Sequence, residues 1–418
     1  MKLAVIGGGS TYTPELADGF ARLRDQLPIE ELWLVDPDAE RSELVAGISR
    51  RMFAREGHPG LIRTTVDVVA GVADADVVLI QLRIGGQAAR RGDETWPRLC
   101  GCIGQETTGP GGFAKALRTV PVVLDVAEAV RRHAKPGAWI IDFTNPVGIV
   151  TRALLQAGHK AVGLCNVAIG FQRKFARLLD VEPRRVQLEH IGLNHLSWER
   201  AASVEGRDRL PELLAGHLEE LARSSGLPPA VLTMQRAVPS YYLHYYYAHD
   251  EVLASQEQEP TRAEAVMEVE RTLLALYADE TIDTKPEALK NRGGAYYSEA
   301  AVDLIASLTG DRGDVQVVNL RNEGTLPFLP EDHVIEASAT VGAGGVRPVP
   351  VSVVPDDLAG LIQHVAGYER LALDAAVNGG RERVLRAMLA HPLVGQYDRA
   401  ERLTELLIAE NRPYLPWA

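Results

Sequence analysis

The run Met1-Lys2-Leu3-Ala4-Val5-Ile6-Gly7-Gly8-Gly9-Ser10 constrains this chain most, because an apolar strand passes directly into a glycine turn. Glycines there allow a tight turn and let a pyrophosphate approach backbone N–H groups at the start of the next helix. A second apolar segment, Leu32-Trp33-Leu34-Val35, ends at Asp36. In such a βα unit a carboxylate at that point meets the adenine ribose diol and repels a 2′-phosphate, so the pattern favours NAD over NADP. The fingerprint is irregular: Gly9-Ser10-Thr11-Tyr12 stands where a third glycine would close it. Gly7, Gly9, Ser10, Thr11 and Asp36 are the expected cofactor contacts. The alternative is a plain strand–turn–helix without ligand.

The alternation continues downstream. Strand-like Val77 to Leu82, Trp139 to Phe143 and Ala161 to Leu164 are interleaved with helix-like Glu15 to Leu27 and Pro121 to Arg132. The second of these helices opens on a proline, which suits a first helical position. The rhythm predicts an α/β fold with a Rossmann-type doubly wound parallel sheet. Past residue 170 the pattern changes. Long helical segments (Leu210 to Arg223, Pro260 to Asp279, Val354 to Ala376, Arg381 to Leu389, Asp398 to Asn411) surround a few strands such as Val315 to Asn319. The expected division is therefore a dinucleotide-binding domain over 1–170 and an α+β domain over 171–418.

Composition narrows the function classes. With 418 residues, 24% of them charged and 46% hydrophobic, the chain can bury a large core and reads as an ordinary soluble enzyme. No apolar run reaches membrane-spanning length, and the first residues lack the basic start and cleavage site of a signal peptide. Three cysteines (Cys100, Cys102, Cys165) make a poor disulfide framework, so a cytoplasmic location is expected. A net charge of −12 argues against a nucleic-acid partner, yet a few arginines can still dominate one cleft and bind a small anion.

Five segments carry candidate chemistry. Cys165-Asn166-Val167 follows a predicted strand, and Gly192-Leu193-Asn194-His195 lies downstream. One thiolate and one imidazole cannot close a structural zinc site, but they can hold a catalytic metal completed by substrate oxygens and water. The bland alternative is a buried cysteine and a satisfied histidine. The aromatic run Tyr241 to Tyr247 suits packing, and a phenol acting as base within it needs a nearby cation. Arg83, Arg90 and Arg91 follow the strand ending at Leu82 and face either the ligand crevice or Asp93 and Glu94. The glycine-rich stretch Gly101 to Gly112 carries one acid, Glu106, and reads as a site loop or as plain turns.

Together these pieces resemble glycoside hydrolase family 4, the NAD- and metal-dependent glycosidases, over nearly the whole chain. The resemblance rests on the Gly-Gly-Gly-Ser-Thr start, Arg90 with Asp93-Glu94, Gly104-Gln105-Glu106-Thr107 and Thr144-Asn145-Pro146. It continues through Cys165-Asn166-Val167, Gly192-Leu193-Asn194-His195, Tyr242-Leu243-x-Tyr245-Tyr246 and Thr261-Arg262-Ala263. This family is an exception to two-carboxylate glycoside hydrolysis. The resemblance implies a second domain like the C-terminal domain of lactate and malate dehydrogenases, serving substrate, metal and oligomerisation. It implies that Cys165 and His195 bind a divalent metal, usually Mn²⁺, and that Tyr242 is the base with Glu106 tuning it. It further implies that Arg90, Asn145 and Arg262 contact the substrate, an arginine meeting its 6-phosphate. In this family the residue after the metal-binding cysteine looks like a selector, and Asn166 points to 6-phospho-β-glucosides. Ala168 and His244 depart from the residues common among relatives.

The implied route is oxidation at C3 by NAD⁺, loss of the C2 proton, departure of the aglycone, addition of water and return of the hydride. Products would be glucose 6-phosphate and the aglycone, from a homodimer or homotetramer. Competing readings are a 6-phospho-α-glucosidase or α-galactosidase of the same family, a 2-hydroxy acid dehydrogenase, and a non-catalytic NAD-sensing module. A dehydrogenase of that kind pairs His with Asp and has no use for a metal-binding cysteine.

Overall fold

The computed structural model describes residues 1–293 and 296–418. In chain order its strands are β1 (Lys2–Ile6), β2 (Glu31–Val35), β3 (Leu61–Thr65), β4 (Val77–Ile80), β5 (Trp139–Asp142) and β6 (Ala161–Gly163). There follow β7 (Val186–Leu193), β8 (Leu196–Val204), β9 (Arg207–Asp208), β10 (Val238–Pro239), β11 (Asp314–Arg321), β12 (Val334–Gly342) and β13 (Gly345–Pro348). Nine of the described strands form one sheet in the order β13-β12-β11-β6-β5-β4-β1-β2-β3. β1 to β6 pair in parallel. Helices cover such a sheet on both faces, so its strands read as unbroken apolar runs. Leu3, Ala4, Val5 and Val77 to Leu79 are fully buried.

The doubly wound sheet expected from sequence is present. It also crosses the 170/171 division, because β11 joins antiparallel to β6 at Asn319–Gly163 and β12 and β13 extend it. A second sheet, β10-β8-β7 with β9 on β8, rises beside it. The β7–β8 hairpin turns at Asn194-His195, where His195 has φ 62°. Just before the turn Gly192 has φ 134°, and a Cβ there would lie 2.1 Å from Leu196 O. Only glycine permits so close a return.

Two expected helices differ. The one read as Pro121 to Arg132 runs Gly109–His133, so Pro121 is interior and the first-turn proline is Pro110. Gly109 to Val120 are buried without interruption, and that burial carries the helix through a proline that removes one backbone bond. The glycine-rich loop therefore ends at Thr108. The first helix is Thr13–Arg22, ending before the expected Leu27. The final helix, Tyr397–Asn411, packs its Leu403 and Leu407 into the core as expected. No described helix is long and apolar enough to cross a membrane.

Candidate active site

A cavity of about 1100 Å³ opens at the carboxyl ends of the parallel strands, where open α/β sheets bind ligands. It exceeds the usual room for one small molecule. Its lining unites Gly7, Gly9, Ser10 and Asp36 with Arg90, Glu106, Asn145, Asn166, His195, Tyr242 and Arg262. Eleven expected residues from nine separated segments thus face one space.

The dinucleotide part is built from backbone. Gly7 N and Gly8 N both donate to Val35 O, at 2.8 and 3.0 Å, which ties the turn to the end of β2. Gly7 has φ 84°. Asp36 Oδ2 accepts from Gly9 N at 3.0 Å, and a Cβ on Gly9 would stand 2.9 Å from the Asp36 carboxyl carbon. The glycine therefore lets the carboxylate sit over the loop at the cavity wall, as an adenosine ribose requires. Thr11 does not line the cavity. Its hydroxyl donates to Glu270 Oε1 at 3.2 Å and its carbonyl accepts from the Tyr277 hydroxyl at 2.7 Å, so it anchors the loop to the helix Arg262–Ala278. The cramped glycine positions and the half-buried Asp36 carboxylate at the cavity wall fit NAD.

The second part is built from side chains. Tyr242 lies in the turn Tyr241–Leu243, and its ring stacks on His195 with centroids 3.6 Å apart and planes 8° apart. His195 Nδ1 is 3.0 Å from Thr107 Oγ1, which leaves Nε2 for a ligand. Burial pushes the His195 imidazole down to about 4, so it is neutral at physiological pH. Cys165 sits just behind the cavity wall, with the N–H groups of Asn166 and Val167 and the Asn194 amide turned to its sulfur. Burial and the Glu336 carboxylate push its thiol up to about 12, so ionisation there needs a bound cation. Burial, then Cys165 and Glu106, also raise the Tyr242 phenol, against Arg90. Among the described residues no three His, Cys, Asp or Glu side chains stand close enough to hold a metal. A neutral imidazole and a thiol at a helix start still fit a catalytic ion whose other positions belong to substrate and water.

Glu106 is the electrostatic centre. It accepts from Lys115 Nζ at 2.7 Å and Arg90 Nη2 at 3.1 Å, and it also pairs with Arg83. Burial alone would raise this carboxyl, but Arg83, Lys115 and Arg90 hold it well below the usual range. Burial and Arg83 push Lys115 down to about 7. Arg90 also bonds Glu94 at 2.7 Å, while Asp93 pairs with Arg118 and Arg91 with Glu264 outside the cavity. Arg262 opens a helix capped by Thr261 and Glu264 and donates to Asn291 O at 2.8 Å. Asn145 Oδ1 is buried with no partner among the described residues.

Sequence reasoning missed three groups. Lys115 lies in the helix beyond the glycine-rich loop, nine residues after Glu106, and that spacing across a misread helix start hid it. Glu270 gathers Arg41, Arg292, Thr11 and Gln87 around the dinucleotide loop. Behind Asn194 lies a buried network of Glu336, His190 and Glu199, joined only by tertiary pairing of strands.

The family described as "Family 4 glycosyl hydrolase" matches residues 2–181, and "Family 4 glycosyl hydrolase C-terminal domain" matches residues 190–394. A "Probable 6-phospho-beta-glucosidase" of Bacillus subtilis (strain 168) is 38% identical, covering 100% of this chain and 97% of its own length. The 6-phospho-β-glucosidase of Thermotoga maritima, solved with manganese, NAD⁺ and glucose-6-phosphate, has a TM-score of 0.91 at 33% identity, covering 99% of both chains. A malate dehydrogenase from Salinibacter ruber shares the fold, with a TM-score of 0.56 at 19% identity.

Proposed function

The chain belongs to family 4 of the glycosyl hydrolases, and from that membership we propose that it cleaves 6-phospho-β-glucosides to glucose 6-phosphate and the aglycone. The observation that carries the reading is the Tyr242 ring stacked on His195 in the same cavity as the glycine loop and Asp36. Gly7, Gly9, Ser10 and Asp36 hold NAD, and Cys165 and His195 hold the divalent ion, Mn²⁺ by analogy with the Thermotoga enzyme. When bound, the dinucleotide supplies a reversible hydride acceptor and the ion a Lewis acid, which together make the sugar C2–H acidic.

The chain's own groups do the rest. Tyr242 takes the C2 proton; Arg90 and a cation at the metal site would favour its phenolate, against burial and the Glu106 charge. Glu106 keeps Arg83, Arg90 and Lys115 fixed in the same cavity, so their charge needs no rearrangement during turnover. Arg90, already matched by Glu94 and Glu106, acts as a hydrogen-bond donor to the sugar. Arg262 stands exposed at the cavity wall, and its guanidinium fork suits the 6-phosphate. Asn145 Oδ1 accepts from a sugar hydroxyl, and Asn166 selects the β-anomer. We further assign the enzyme to the cytoplasm as a homo-oligomer without nucleic-acid partners; its free cysteines and acidic charge support this.

The test is a panel of α- and β-linked 4-nitrophenyl glycosides, with and without 6-phosphate, NAD⁺ and Mn²⁺. Cleavage is expected for the phosphorylated β-glucoside with both cofactors present, without net NADH. Hydrolysis that persists after chelation and cofactor removal contradicts the proposal.

A further inference from the structure

The two residues assigned to the metal come from different sheets. Cys165 lies two residues past the end of β6, and His195 lies on the β7–β8 hairpin turn. A cluster behind the cavity wall ties these segments together.

Glu336, on β12, is buried, and β12 connects the two regions. Its neighbour β11 pairs with β6 through Asn319 opposite Gly163, and Asn319 itself pairs with Glu336 across β11–β12. From the second sheet the backbone N–H of His190, on β7, donates to Ser338 Oγ of β12 at 3.5 Å. Glu336 Oε1 accepts from Asn194 Nδ2 at 3.1 Å and from Asn319 Nδ2 at 3.0 Å. Glu336 Oε2 lies 3.1 Å from His190 Nε2, and His190 Nδ1 lies 2.7 Å from Glu199 Oε1. The Asn194 amide also bonds the Cys165 sulfur. A continuous line therefore runs Glu199–His190–Glu336–Asn194–Cys165, and Asn194 directly precedes His195.

Stability alone is a poor explanation for this cluster. Two carboxylates and an imidazole are withdrawn from water at a high desolvation cost, and apolar residues of equal volume often do as well. The network is also incomplete, since Glu199 Oε2 and Asn319 Oδ1 have no partner among the described residues. His190 between two carboxylates is held as imidazolium, its pKa up at about 10 despite burial, and Glu336 is held ionised. Of these groups Glu336 acts most directly on Cys165, and its negative charge, partly offset by the His190 imidazolium, reaches that sulfur.

We propose that Glu336, braced by His190 and Glu199, is a positioning residue that fixes Asn194, keeps Cys165 and His195 in register, and supplies fixed negative charge favouring a divalent cation there. Partners of this kind behind metal ligands commonly contribute 10- to 100-fold in metal affinity. The inference rests on Cys165 and His195 being the metal ligands.

The experiment titrates Mn²⁺ into the full-length protein in the presence of NAD⁺, following free Mn²⁺ by electron paramagnetic resonance, with NAD⁺ affinity measured separately. Glu336→Gln keeps the shape and removes the charge, and Asn194→Ala cuts the link while leaving the buried charges in place. Both variants are expected to bind Mn²⁺ about 10- to 100-fold more weakly, with NAD⁺ affinity within about twofold of wild type. Activity of either should return as Mn²⁺ is raised. If Glu336→Gln does not fold, Asn194→Ala alone decides. Unchanged Mn²⁺ affinity in a folded variant overturns the proposal, as does a parallel loss of NAD⁺ affinity. Wild-type protein that binds no Mn²⁺ instead overturns the metal assignment itself.

Discussion

The two parts of the cavity are made differently. The dinucleotide part consists of one short stretch of backbone and one carboxylate: a glycine turn tied to β2, with Asp36 resting on Gly9. The part we assign to the sugar draws on Glu106, Asn145, His195, Tyr242 and Arg262 at the cavity wall with Cys165 behind it, and its charges are buried in clusters around Glu106 and Glu336. A backbone site is insensitive to most side-chain changes, because N–H groups are supplied whatever the residue. A site of buried charges is not: each charge relies on a partner from another element, and losing one strands the other.

Tyr242→Phe should give the largest effect and tests that contrast most directly. Removing a positioned proton-transfer group costs about 10²- to 10⁴-fold in rate. The ring would still stack on His195, so substrate-independent properties should be spared. kcat is expected to fall by that range while NAD⁺ affinity is unchanged, and exchange of the sugar C2 proton with solvent deuterium should cease. Retained exchange would move the base elsewhere, with the adjacent Tyr241 the next tyrosine to replace.

The same contrast explains what could be read from the chain. Gly7, Gly9 and Asp36 were legible because their geometry is local: a strand, a turn and a following strand end lie within 36 residues. Five of the six parallel strands were legible for the same reason, as apolar runs, whereas the edge strand β3, Leu61-Ile62-Arg63-Thr64-Thr65, carries no such run and was missed. Pro121 misled because a local rule about prolines lost to continuous burial of the preceding residues Gly109 to Val120. Cys165, His195 and Tyr242 could be named only through several family motifs in order; their meeting depends on a hairpin and a turn from separate regions. Glu336 lay beyond reach altogether. Nothing in Val334 to Gly342 distinguishes its one buried carboxylate, whose role appears only when β12 is seen paired with β11 and bonded to β7 of the second sheet.

A smaller effect is expected at the dinucleotide part. Asp36→Ala removes a charged hydrogen-bond acceptor from the ribose, and such bonds contribute about 1.5–3 kcal/mol. NAD⁺ affinity should drop roughly 10- to 100-fold on that basis, and NADP⁺ should bind closer to NAD⁺ because the repelling charge is gone. Direct binding of both nucleotides by fluorescence titration measures the ratio. A ratio that stays at its wild-type value would mean that Asp36 holds Gly9 and Asp38 without meeting the ribose.

The smallest effect expected is in the pH dependence of stability, which should trace to the side-chain part. His391 shares a small cavity with Asn194 and His195, packs on the Tyr368 ring at 4.2 Å, and accepts from Leu393 N at 3.1 Å. Burial, with His364, pushes its pKa down to about 3. The unfolded chain takes up that proton near pH 6.5, so it binds more protons than the fold between there and about 3, and stability falls as pH drops through this window. His190 has the opposite sign. Its pKa in the fold is about 10, so its contribution is whole below pH 6.5 and is lost as pH rises toward 10. His391→Phe should therefore flatten the acid limb of the Tm profile, by roughly a few °C, and leave the alkaline limb as it was. Loss of both limbs together would show that the two histidines titrate as one unit, and the sugar part would then be a single electrostatic network reaching from Glu199 to Tyr368.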